Sequence, residues 1–154
     1  MPTPRADAAA MGAAAQDATT AWAWPLTPPW RVLRGFEAPK THYSAGHRGI
    51  DMPAQLADAI HSPTSSTVYF AGMVAGRPVL TLQSSDGLLL SFEPVKTTLA
   101  KGEPVARGEE VARVASGGHC DQRCVHFGVR REGEYVSPLL FFGGVPRAVL
   151  LPLD

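Results

Sequence analysis

Short runs of alternating apolar and polar residues fill the middle and end of this chain, and glycine and proline punctuate them. Thr67-Val68-Tyr69-Phe70-Ala71-Gly72-Met73-Val74 alternates and is expected to break at its glycine. Val79-Leu80-Thr81-Leu82-Gln83 has a period of two and stops at Ser84-Ser85-Asp86-Gly87, a hairpin signal, after which residues 88–92 return. Residues 125–130 alternate again. Val125, Phe127 and Val129 fall on one face, and Cys124, His126 and Gly128 on the other. Residues 32–36 are a further strand candidate. No stretch holds a helical period over a dozen residues, apart from the Ala-rich N-terminal segment. The pattern predicts an all-β antiparallel core, either a sandwich or a part-closed barrel. Fourteen prolines and fifteen glycines suit such a set of short strands and turns.

Trp22, Trp24, Pro25, Pro28, Pro29 and Trp30 mark the change from leader to core. Residues 1–23 read as a flexible Ala-rich leader and 24–154 as the folded domain, with the three tryptophans packing the leader against the sandwich. The leader lacks the apolar stretch of an intact secretory signal. It reads as a flexible segment or as the remainder of a removed signal, with a cytoplasmic protein carrying a loose tail as the other reading.

At 154 residues the chain is most simply one domain, and its 45% hydrophobic and 18% charged residues fit a globular protein. The formal charge of zero gives no electrostatic footprint for nucleic acid and argues against a basic patch for an anionic membrane. No apolar run approaches the ~20 residues of a membrane-spanning helix. Between residues 99 and 111, Gly102 and Gly108 stand six apart with valines between and after, the pattern of a small turn-strand-turn corner. Such corners occur in lipoyl-like carriers, but Lys101 precedes the glycine turn and is misplaced for a carrier lysine.

The candidate chemistry lies in two places. One is His47-Arg48-Gly49-Ile50-Asp51; the other is Cys124-Val125-His126-Phe127-Gly128-Val129-Arg130, the strand that carries His126. One carboxylate and two imidazoles fill three corners of a zinc tetrahedron and leave the fourth for water. Cys120 and Cys124 bracket a tight turn before His126. In an oxidising compartment they can close a disulfide; in the cytosol they are free thiols. Cys124 shares a strand face with His126, so it is also a candidate soft fourth ligand. His42 and His61 read as surface residues, and Arg130 with Arg131 as a solvated strand end.

These motifs resemble lysostaphin-type zinc metallopeptidases, the murein endopeptidase family. The resemblance runs from about Trp24 to Leu140. It comprises His47-x-x-x-Asp51, the glycine corner, the terminal His126-Phe127-Gly128-Val129-Arg130, and Tyr135-Val136-Ser137-Pro138 as a closing element. It implies an antiparallel β sandwich with a groove over the sheet, one zinc ion held by His47, Asp51 and His126, and an extracytoplasmic protein acting on peptidoglycan peptides. Because the family is exported, it also implies the Cys120–Cys124 disulfide.

The carry-over is partial. The first histidine of the family's His-x-His is Cys124 here. The histidine of its Tyr-x-His-Leu strand falls within Phe92-Glu93-Pro94-Val95, on Pro94 or Glu93. Together with Gly118-His119-Cys120 these departures are similar to an actinobacterial subgroup. Both proton-handling histidines are replaced, and such groups typically contribute about 10²–10⁴-fold each. Glu93 and His119 are the candidates to take their place. Two functions follow from the resemblance. One is a zinc metalloendopeptidase that cleaves cell-wall peptides. The other is a degenerate relative that binds the wall or regulates a partner hydrolase.

Overall fold

The computed structural model describes residues 21–41, 45–143 and 149–150. In chain order the strands are β1 (Arg31–Val32), β2 (Ile50–Pro53), β3 (Ala59–His61), β4 (Ser66–Val74), β5 (Arg77–Ser84), β6 (Leu89–Glu93), β7 (Val95–Lys96), β8 (Pro104–Val105), β9 (Glu110–Val114), β10 (Cys124–Arg131), β11 (Glu134–Val136) and β12 (Val149–Leu150). A single 3-10 turn, Pro138–Phe141, follows β11 among the described residues. Ser137 caps it by accepting a hydrogen bond from the Leu139 N–H, and a proline stands at its start, where the missing N–H has no partner to lose.

The large sheet runs β11-β10-β6-β5-β4-β8, with β2 also on β10; the small sheet runs β3-β9-β7. The sheets do not close into a barrel, so of the two expected architectures the chain adopts the sandwich. One pairing departs from the antiparallel expectation: β1 and β12 form a two-stranded parallel ladder.

Both sheets contribute to one apolar core. Val125, Phe127 and Val129 on β10 are fully buried, as the period of two requires. Phe127 stacks on Phe92 of β6 at 4.6 Å between ring centres, and Ile60 of β3 and Val114 of β9 close the core from the small sheet. Trp22 stacks on Phe141 at 4.4 Å and Trp24 on Trp30 at 5.1 Å, with Phe142 between them, so the tryptophans pack against the core.

The strand at 67–74 does not break at Gly72. It continues through Gly72 paired with Val79, and the Phe70 ring lies over the glycine, where a Cβ would be 3.2 Å from Phe70 Cζ. An aromatic ring that covers a strand glycine replaces the side-chain packing the glycine lacks. The 32–36 candidate is regular only at its start. Beyond Val32 the backbone makes isolated bridges, Arg34 to Asp51 and Glu37 to His47. In the corner, Gly102 and Gly108 both adopt positive φ, +93° and +85°, and turn the chain into and out of β8. His61 is partly buried on β3 with Nδ1 3.4 Å from the Pro25 carbonyl, deeper than its surface reading. His42 and residues 1–20 lie outside the described residues.

Candidate metal centre

Strand register assembles the site. β10 pairs β2 so that His126 faces Asp51, and pairs β6 so that His126 faces Glu93 on its other side. A row Asp51–His126–Glu93 therefore crosses three strands. His47 precedes β2, and its backbone is clamped to Glu37 by two hydrogen bonds of 2.9 Å, while Leu33 and Arg34 bind the backbone of Asp51. The irregular segment after β1 thus fixes both members of the His-x-x-x-Asp motif. Gly49 between them lets β2 meet β10: a Cβ there would stand 2.3 Å from the Phe127 carbonyl oxygen and 2.8 Å from His126 Nε2.

Asp51 is the hub. Its Oδ1 lies 2.7 Å from His126 Nδ1 and 3.2 Å from His47 Nε2, and His119 Nε2 stands 3.1 Å from both carboxylate oxygens. Ligand atoms of His47, Asp51, His119 and His126 all lie within 4.8 Å of one another. The three side chains predicted as ligands are sheltered: His47 and Asp51 are buried and His126 is 13% exposed. His119 sits at the rim with 52% exposure. The structure brings His119 to the predicted ligands from 68 positions away in the sequence.

The donor set fits a divalent ion. His47 Nδ1–H donates to the Gly35 carbonyl at 2.8 Å, which fixes the proton on that nitrogen. Burial is the main reason its pKa lies below 6.5, with the charges of His126 and Arg34 adding to the effect and the Gly35 bond and Asp51 opposing it. Neutral His47 then presents the Nε2 lone pair to Asp51 Oδ1, acceptor against acceptor in a buried site. A shared cation resolves that conflict. Burial pulls the Asp51 carboxyl upward. Hydrogen bonds from His126 and His119 and the charges of His126 and His47 outweigh it, and the pKa lies below 3.8. An anionic carboxylate beside a tautomer-locked imidazole is the state a metal ligand needs.

Cys120 and Cys124 form a disulfide. Their sulfurs approach Asp51 and His119 closely enough to be counted with them as donors, but the bond between them removes both from metal ligation. The bond closes the turn that directly follows His119. That turn is also held by Gly117 N–H to Asp121 Oδ1 at 3.0 Å, and Arg123 ties it to β2 through the Ala54 N–H. Glu93 faces the site, but its carboxylate is ion-paired to Arg77. Arg77 in turn lies under the His119 loop: a Cβ on Gly118 would be 3.1 Å from Arg77 Cδ, and one on Gly117 3.4 Å from Arg77 Cβ. Sequence reasoning missed Arg77. The hairpin register held the signal, because Leu80 opposite Phe92 sets Arg77 diagonally from Glu93.

Beside the centre, a groove of about 620 Å³ runs over the large sheet. His119, His126 and Glu93 stand at its metal end, Tyr69 and Phe70 form an apolar wall, and Arg130 lies farther along β10 opposite Tyr135 of β11. The expected groove over the sheet is present. Pro94 is buried and its carbonyl accepts from the Ala115 N–H, so Glu93 rather than Pro94 occupies the site face of this strand end.

Comparison with known proteins agrees with this fold. An uncharacterized protein of Mycobacterium tuberculosis is 36% identical over 129 residues, which cover 80% of this chain and 52% of the relative. The chain thus spans about half the length of the curated relatives it matches. Among solved structures, a zinc-containing peptidase from Vibrio cholerae superposes with a TM-score of 0.66 at 19% identity, covering 75% of this chain and 38% of that one. The catalytic domain of the antimicrobial peptidase lysostaphin from Staphylococcus simulans gives 0.63 at 17%, covering 73% and 92%. At these identities the structures establish the fold alone. Residues 45–138, which hold every residue of the cluster, match peptidase family M23, and the chain belongs to that family.

Proposed function

We propose that this chain is a peptidoglycan-directed zinc metalloendopeptidase whose proton handling has moved from strand histidines to His119 and Glu93. His47, Asp51 and His126 hold one zinc ion. The observation that carries the reading is His119: its Nε2 reaches both oxygens of Asp51 at 3.1 Å from an exposed loop, while the other three donors are sheltered. Three sheltered ligands with one accessible imidazole match a catalytic site better than a closed four-ligand structural one. Zinc supplies Lewis acidity there.

The chain's own groups do the rest. The β2–β10 register keeps His126 beside Asp51, and Gly35 keeps His47 oriented through its Nδ1–H. His119 Nε2 stands at the groove rim, where a proton can be taken up and delivered to a leaving amine. Glu93, held by Arg77, faces the same space from β6 as an acceptor. The bound peptide is a wall stem or cross-bridge peptide, and the protein works outside the cytoplasm. No described helix is long and apolar enough to cross a membrane.

A second reading rests on two observations, the engagement of Glu93 by Arg77 and that of Cys124 by Cys120. Under it the chain is a degenerate relative that binds wall peptides or regulates a partner hydrolase. His119→Ala separates the readings. Elemental analysis is expected to find about one zinc per chain in both wild type and variant, with peptidoglycan hydrolysis falling about 10²-fold or more in the variant. Loss of zinc in the variant makes His119 a ligand and overturns its proton-handling role. A zinc-loaded wild type that does not hydrolyse the wall establishes the degenerate reading.

A further inference from the structure

The groove has a second end that the centre does not use. On β10, His126, Gly128 and Arg130 share the groove face, so Arg130 lies about 13 Å along the strand from the metal-end histidine. Gly128 leaves the floor between them flat; a Cβ there would be 3.1 Å from the Arg48 carbonyl oxygen and 3.7 Å from Tyr135 Cε1. Arg130 pairs across strands with Tyr135, and its guanidinium carbon stands 5.8 Å from that ring's centre. The ring holds the guanidinium by a cation–π contact at the groove wall. Among the described residues no carboxylate pairs with Arg130.

Charge in the groove points the same way. Its one lining acid, Glu93, is paired to Arg77, so no carboxylate of the lining is left for Arg130. The far end of the groove therefore carries the positive charge of Arg130. A planar guanidinium held against a ring and lining a groove suits bidentate recognition of a carboxylate.

We propose that Arg130, held by Tyr135, is a subsite for a free carboxylate of the peptide in the groove, three to four extended residues from the bond at the metal end. The substrate is then an anionic wall peptide rather than a neutral glycine bridge. The inference rests on the reading of the groove as a wall-peptide site, not on turnover.

Equilibrium binding to the zinc-loaded full chain tests it. The probes are a fluorescently labelled stem tetrapeptide and three forms of it, with the terminal carboxylate, the side-chain carboxylates or both converted to amides. Amidation at one of the two positions is expected to weaken binding about tenfold, the scale of one charge-assisted hydrogen bond, and the form that responds identifies the carboxylate. Arg130→Gln is expected to bind all four forms alike at the level of the weakest, and Arg130→Lys to recover part of the difference. Zinc content and melting temperature of each variant confirm that the centre and the fold are intact. The proposal is overturned if amidation changes wild-type affinity less than twofold, if Arg130→Gln still discriminates, or if no form binds. A protein that discriminates without hydrolysing keeps the subsite and loses only the peptidase reading.

Discussion

Gly49 carries more of the site than its size suggests. It has no side chain, and that absence lets β2 lie against β10 with His126 Nε2 and the Phe127 carbonyl in the space a Cβ would take. The nearest obstacle is backbone, which cannot rotate away. Gly49→Ala is therefore expected to cost about 2–4 kcal/mol, more than an ordinary surface change, and to lower zinc content together with stability. Thermal unfolding and metal analysis of the same sample check it; an alanine variant with wild-type stability contradicts the packing described. At this scale the motif residues were legible because the chemistry names them: His47, Asp51 and His126 are the residue types a zinc tetrahedron needs at a family spacing. Their supports were not. The Gly35 carbonyl that fixes His47 is a backbone group, and Arg77 bears on Glu93 only through hairpin register.

Strands were legible in proportion to their length. β5, β6 and β10 run five to eight residues, enough for a period of two to declare itself. β7 and β8 have two residues each, too few for any period, and the ladder that makes them strands comes from neighbours far away in sequence. The 119 loop had no periodicity to read at all. Its position is set by Cys120–Cys124 beneath it and by Arg77 under its glycines. This makes the disulfide an element that aims one imidazole. Replacing both cysteines by serine is expected to cost on the order of 2–3 kcal/mol at most, because the closed loop is so short. Wall hydrolysis is expected to fall much further, towards the level of His119→Ala. Combining the two changes is expected to add little, because both remove the same imidazole from the same place. An unchanged rate in the double-serine protein would dissociate the bond from the site.

The whole molecule titrates through its buried centre. In metal-free protein His47 has a folded pKa below its unfolded 6.5, so the unfolded chain binds the extra proton first. Stability is then complete above about pH 6.5 and is lost as pH falls from there through the folded pKa. Asp51, with a folded pKa below 3.8, adds a second loss of the same sign at lower pH. The melting temperature of chelator-treated protein is expected to be level near pH 7–8 and to decline below about 6.5. His47→Gln removes the first decline, and wild type that gains stability on acidification contradicts the assignment.

Asp51 and His126 are 75 positions apart and meet only when β10 enters the sheet between β2 and β6. β10 is also among the last strands of the chain. A growing or half-folded chain therefore carries the His-x-x-x-Asp pair without its third ligand, and closing so long a loop is the slow, entropically costly part of folding. With the ion held as proposed, metal does not nucleate this fold. Its three donors come together only where β2 pairs with β10, so ion capture reports that this one long-range pairing has formed.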